Sequence, residues 1–119
     1  MKTWDDWSDL EVNAHVTILC YSLHGWEYSE NMQQFYHCGI TGDEKHNQPV
    51  IDFCNSWADM GPIIFENKIE TCWFCGDRWR AIIDNQFQYG DYKRIVHLDN
   101  NPLRAAAIVF LEMNGVNPE

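Results

Sequence analysis

Apolar residues along the chain fall into a few periodic runs separated by polar, turn-rich stretches. In the first run Leu10, Ala14, Ile18 and Tyr21 recur at helical spacing, and Val12, Val16, Leu19 and Leu23 repeat that spacing on a neighbouring face. Ser8-Asp9-Leu10-Glu11 opens this helix as a capping box, and Trp7 and Val12 have the spacing of a hydrophobic staple. Gly25 is the natural stop, because glycine tolerates the left-handed backbone that ends helices. A stripe this wide predicts a helix that the rest of the chain covers well.

Periodicity weakens between Trp26 and Val50. Gln33-Gln34-Phe35-Tyr36-His37-Cys38 can form a short strand, and Gly39 to Pro49 reads as a polar, turn-like loop. A middle helix begins near Ser56, with Gly61-Pro62 expected to interrupt it and Ile63 to Asn67 continuing as a short piece. Ile69 to Phe74 and Arg78 to Ile83 flank the turn Cys75-Gly76-Asp77 as a hairpin, and Arg94 to Leu98 supplies a third strand. The last helix starts at Asn101 as cap with Pro102 behind it, carries a core stripe of Leu103, Ala106, Ala107, Phe110 and Leu111, and ends at Asn114-Gly115. The pattern predicts one α+β domain over 1–119: a small antiparallel sheet of about three strands, packed by an N-terminal helix, a C-terminal helix and a short middle helix.

The 119 residues, 45% of them hydrophobic, suffice for one core without disulfide or metal staples. Charge changes the picture more. Eight Lys and Arg against 18 Asp and Glu leave a net charge of −10, which repels nucleic-acid phosphates and anionic membranes. Direct nucleic-acid or membrane binding is therefore not expected. The acidity either keeps an aromatic-rich chain soluble or presents a face that docks on a basic partner, as a nucleic-acid mimic would. Five cysteines cannot all pair, and the acidic start Met1-Lys2-Thr3-Trp4-Asp5-Asp6 is unlike a signal peptide. No segment approaches the ~20 apolar residues of a membrane span. These features predict a cytoplasmic protein with reduced thiols.

Candidate chemistry is sparse. Cys72-Trp73-Phe74-Cys75 is a CxxC pair able to hold one zinc ion, with His37 and Cys38 as the adjacent pair that would complete a tetrahedral site and Cys54 as a further ligand. One such pair without a second is a weak signal, and burial in an aromatic hairpin accounts for these cysteines more simply. His15, His24, His37, His46 and His97 share no spacing, and His97 is expected opposite Val96 and Leu98, towards solvent. No glycine-rich phosphate loop is present, and neither metal nor cofactor is expected. Of the aromatics, Trp57, Trp79 and the hairpin residues are expected in the core. Others would form an exposed hot spot, or would stack on a base if Arg78, Arg80, Lys93 or Arg94 stood near to hold phosphate.

Three segments in order, Trp57-Ala58-Asp59-Met60-Gly61-Pro62-Ile63-Ile64, Trp79-Arg80-Ala81 and Asn101-Pro102-Leu103-Arg104-Ala105-Ala106-Ala107, resemble the NinX-like family of small tailed-phage accessory proteins, a family without an assigned activity. The likeness extends from Phe53 to Gly115 and to the first helix with His24-Gly25-Trp26. Ile63-Ile64-Phe65-Glu66 departs from the usual run, and the stretch around Gly39 to Pro49 is similar to an insertion. The resemblance implies a phage-encoded origin and a role in host takeover or counter-defence; it carries over no catalytic residue.

Taken together, the expectation is a non-enzymatic accessory protein in the host cytoplasm. It would bind and inhibit a host protein, such as a nucleic-acid-binding or defence factor, through an acidic surface with an aromatic centre. Asp5, Asp6, Asp9, Glu27, Glu30, Asp43 and Glu44 with Trp26 are the candidate binding residues. The alternative is a small-ligand binder that sequesters a nucleotide signal, with an enzyme built on Cys72 or Cys75 ranked last.

Overall fold

The structure, a computed structural model, describes residues 2–38, 45–86 and 92–119. A 3-10 turn at Trp4–Asp6 precedes α1 (Asp9–Tyr21), β1 (Glu27–Ser29), β2 (Gln34–Cys38) and β3 (Lys45–Pro49). Then come α2 (Trp57–Asn67), β4 (Glu70–Cys75), β5 (Arg78–Gln86), β6 (Tyr92–Asp99) and α3 (Pro102–Met113). The strands make two antiparallel sheets, β1-β2-β3 and β4-β5-β6. The fold is α+β as the pattern predicts, with a second sheet where only one strand was expected. Part of the turn-like loop, Lys45–Pro49, is β3, registered on β2 from Gln34↔Pro49 to Cys38↔Lys45. Its sequence Lys-His-Asn-Gln-Pro has no apolar alternation, so its backbone ladder to β2 rather than a buried face holds it.

Helix ends follow local chemistry. The Ser8 hydroxyl accepts from the Glu11 backbone N–H, and the Glu11 carboxylate accepts from the Ser8 N–H, closing the capping box on α1. The stop is Ser22, not Gly25: Ser22 is left-handed at φ 56°, and the Leu23 N–H then reaches back to the Ile18 carbonyl. Leu23, just past the reversal, is buried. α2 runs unbroken through Gly61-Pro62. Pro62 removes the donor for the Ala58 carbonyl, but Ala58 and Pro62 both face solvent, so water can take the bond. Asn101 caps α3 by accepting from the Leu103 and Arg104 N–H groups.

α3 is the centre of the core. Leu103 through Val109 and Leu111 are all buried, because β5 and β6 cover one side while α1 and α2 cover others. Ala105, Ala106 and Ala107 are wholly inaccessible, and their small side chains allow the close approach expected of that run. The inward face of the β4-β5-β6 sheet carries Ala81, Ile83 and Ile95, in register as Ala81↔His97 and Ile83↔Ile95. His97 therefore points inward, contrary to the solvent-facing expectation, and Val96 is the exposed neighbour. The alternation fixes the two faces but not which one faces the helix; the inward pairing of Asp99 with Arg104 selects it.

The core aromatics differ from the expected set. Trp4 and Trp7 are buried edge to face, and both indole N–H groups are satisfied, by Glu112 Oε1 at 2.6 Å and the Pro118 carbonyl at 3.0 Å. Trp57, Trp73 and Phe74 are exposed and Trp79 is half-buried. The two N-terminal tryptophans belong to the core, and those later rings lie outside it.

Candidate functional site

Helix α1 has two apolar faces, and the described residues cover one fully and the other only in part. Val12 and Val16 are wholly buried against the core. Leu10, Ala14 and Ile18, on the neighbouring face, are half-buried, and Tyr21 is exposed. The wide stripe is thus not fully covered, which corrects the expectation from periodicity.

That second face is one wall of a groove of about 470 Å³. Leu10, Glu11, Ala14, His15 and Ile18 come from α1, while Tyr28, Glu30 and Phe35 come from the β1-β2 hairpin. Tyr28↔Phe35 is a cross-strand pair with ring centroids 5.0 Å apart, so the opposite wall is aromatic. Phe35 is buried but lies outside the main core cluster, so its burial belongs to the groove wall. Glu11 and Glu30 stand on opposite walls and give the apolar trough an acidic rim. His15 is held in place by Nδ1 at 2.9 Å from the Glu11 carbonyl and by packing on the Trp7 ring. An apolar trough of this size with a few charged groups at its edge fits a side-chain-bearing segment of a partner.

The candidate acidic residues are dispersed rather than gathered. Glu30 is at the groove. Glu27 lies on the opposite face of β1, where its carboxylate accepts from the Tyr36 hydroxyl and borders a shallow pocket with Gly25 and His37. Trp26 packs on the His37 ring, away from the groove. Asp6 caps the first turn through the Thr3 N–H. Asp5 borders a polar cleft of about 270 Å³ with Asp77, Arg78, Leu98, Asp99 and Asn100. Asp43 and Glu44 lie outside the described residues.

Asp9 is structural. Its carboxylate accepts from Arg104 Nη1 at 2.8 Å, while Arg104 Nε donates to Asp99 at 3.1 Å and Nη2 donates to the Trp4 and Trp7 carbonyls. The Arg104 side chain is only 11% exposed and ties the N-terminal turn to α3 and β6. Burial pushes the Asp99 carboxyl up, but His97, the Asn101 backbone N–H and the Arg104 guanidinium outweigh that and hold it below its ordinary value. A second polar centre joins α1 to the segment before α2: Asn13 donates to Asp52 and accepts from the Cys54 N–H, and Asn101 donates to the Cys54 carbonyl.

Among the described residues the thiols do not gather into a ligand set. Cys72 and Cys75 are on β4 across a bulge, whereas His37 is on β2 of the other sheet; the side chain of Cys38 lies outside the described residues. Among the described residues no three His, Cys, Asp or Glu side chains gather as metal ligands. Burial, with Asp9 nearby, pushes the Cys54 thiol up to about 12.

The arginines are engaged as well. Arg78 shares its cleft with three aspartates, Arg80 lies 5.7 Å over the Phe74 ring, and Arg94 is paired with Asp84 at 2.8 Å. No helix among the described residues is long and apolar enough to cross a membrane.

The groove's Leu10, Ile18, Tyr28 and Phe35 were not among the expected binding residues. The signal for Leu10 and Ile18 was the doubled apolar face of α1, which is more than one core contact requires; Tyr28 and Phe35 lie on a hairpin of weak sequence signal.

Comparison with known proteins returns no matching curated protein and no matching solved structure. The family described as Bacteriophage P22, NinX matches residues 5–114, nearly the whole chain. That span takes in the Asn13 centre, the Arg104 centre apart from the Trp4 carbonyl, and the α1 wall of the groove, and the Asn101 to Ala107 segment that carried the resemblance is the capped, arginine-anchored start of α3. The chain belongs to the phage P22 NinX family.

Proposed function

We propose that this phage accessory protein acts without catalysis in the host cytoplasm, by binding a host protein through the groove between α1 and the β1-β2 hairpin. One observation carries the reading: α1 keeps an apolar second face, opposite an aromatic wall, that the described residues leave half uncovered. The net charge of −10 and the Glu11–Glu30 rim make the complementary partner a basic segment with apolar anchors. Nucleic-acid-binding proteins and defence factors that grip nucleic acid carry such segments, so occupying one would inhibit it by competition.

The nucleotide-sequestering alternative is less well supported. A phosphate near Arg78 would meet Asp5, Asp77 and Asp99.

The test is quantitative capture from host lysate with wild type and with Ile18→Glu plus Glu30→Lys. The wild type should retain a stoichiometric protein at low salt and lose it at high salt, and the double variant should retain none while keeping its circular dichroism. Equal capture by both proteins would refute the groove as the site.

A further inference from the structure

A second apolar surface lies on α2. Trp57, Gly61, Ile64 and Phe65 share one helical face and, with the left-handed cap residue Lys68 just beyond the helix and with Ile69 and Glu70, line an open shelf of about 600 Å³. Phe65 is 84% exposed and Trp57 58%, although rings of that size normally fill cores. One turn before Phe65, Gly61 leaves a notch: a Cβ built there meets nothing within 4 Å. A protruding ring and a notch thus lie on the same face, with an aromatic at one end and a cation at the other.

We propose that this face is the docking surface for a second copy of the chain. Two α2 helices would cross antiparallel about a two-fold axis, each Phe65 entering the other copy's Gly61 notch and each Lys68 covering the other copy's Trp57. A two-fold contact requires that if residue i meets j, then j meets i. The pairs Gly61–Phe65 and Trp57–Lys68 satisfy this because their midpoints coincide, at Pro62–Ile63, to within a residue. Lysine over tryptophan adds a cation–π contact.

Charge separates this surface from the groove. A second copy of a −10 chain is repelled at the Glu11–Glu30 rim, whereas the shelf holds Lys68 and Glu70 and is formally neutral. An 11-residue helix is about 16 Å long, which gives a small contact and a weak, concentration-dependent dimer. This inference uses a different face from the host-binding reading and stands or falls separately.

Analytical ultracentrifugation across a wide concentration range tests it, on wild type, Phe65→Glu and Gly61→Gln. Wild type should shift from monomer to dimer as concentration rises. Both variants should remain monomeric, at least tenfold weaker in self-association, with unchanged circular dichroism. Gly61→Gln is the sharper control. Glutamine is the better helix former, so the variant should melt no lower than wild type while its side chain fills the notch. A wild type that stays monomeric throughout, or a dimer that survives both substitutions, would overturn the proposal.

Discussion

Replacing Arg104 with methionine should cost this protein a large share of its stability, by an amount the structure bounds. The guanidinium makes four hydrogen bonds, to Asp99, Asp9 and the carbonyls of Trp4 and Trp7. Methionine keeps much of the packing volume but removes the guanidinium from both carbonyls and from Asp99; the Trp4 carbonyl keeps only the Trp7 N–H and the Asp99 carboxylate keeps the Asn101 N–H. Asp99 has a side chain 9% exposed and cannot recover full hydration, whereas Asp9, half exposed, can. Counting each charge-assisted bond at ~1.5–3 kcal/mol and adding all four would overshoot, because they act as one unit. The better measure is the ~3–5 kcal/mol typical of breaking a buried pair from one side. Against a total stability of roughly 5–15 kcal/mol this is severe. With a urea slope of about 2 kcal/mol/M, the unfolding midpoint should fall by about 2 M, read from tryptophan fluorescence with Trp4 and Trp7 beside the site. Arg104→Lys keeps the charge but not the planar fork, and should cost about half as much. A loss below ~1 kcal/mol for Arg104→Met would refute the view that this residue anchors the N-terminal turn.

The Asp99 carboxyl, held below its ordinary value in the folded protein, contributes stability that is present above the unfolded value of about 3.9 and is lost as pH falls through the lower folded value. Asp99→Asn should therefore flatten the acid limb of wild-type stability below about pH 4, checked by urea titration at several pH values. Thiol labelling near neutral pH should modify exposed Cys75 quickly, whereas Cys54, buried and with its thiol pushed up to about 12, should react only through unfolding; a fast native-state reaction at Cys54 would contradict the packing. Pro62→Ala restores the donor for the Ala58 carbonyl inside α2 and should raise stability by about 1–2 kcal/mol in a thermal or urea melt.

The helices were legible where side chains act on their own backbone. The Ser8–Glu11 box, the Ser56 cap and the Asn101–Pro102 start all form as the local sequence dictates. The β4-β5 hairpin was legible for the same reason, with Gly76 at φ 60° in its turn. Choices that depend on tertiary partners were hidden. β3 is polar throughout, and only the neighbouring β2 makes it a strand. His97 and Asp99 occupy the inward parity of β6 although Val96 and Leu98 look better suited, because Arg104 on another element receives Asp99. Trp57 is exposed in the first turn of α2, off the face that buries Met60 and Ile63. The groove was half legible: periodicity showed the second face of α1, but the aromatic wall opposite depends on a hairpin of weak sequence signal.

Photo-crosslinking in the host tests whether the groove holds a host protein. A benzophenone side chain placed at Tyr28, in the groove, is compared with one at Phe74, exposed on the other sheet. The groove reading predicts one discrete host-protein adduct from position 28 and none from position 74. An adduct from position 74 alone, equal adducts from both, or none from either would contradict it.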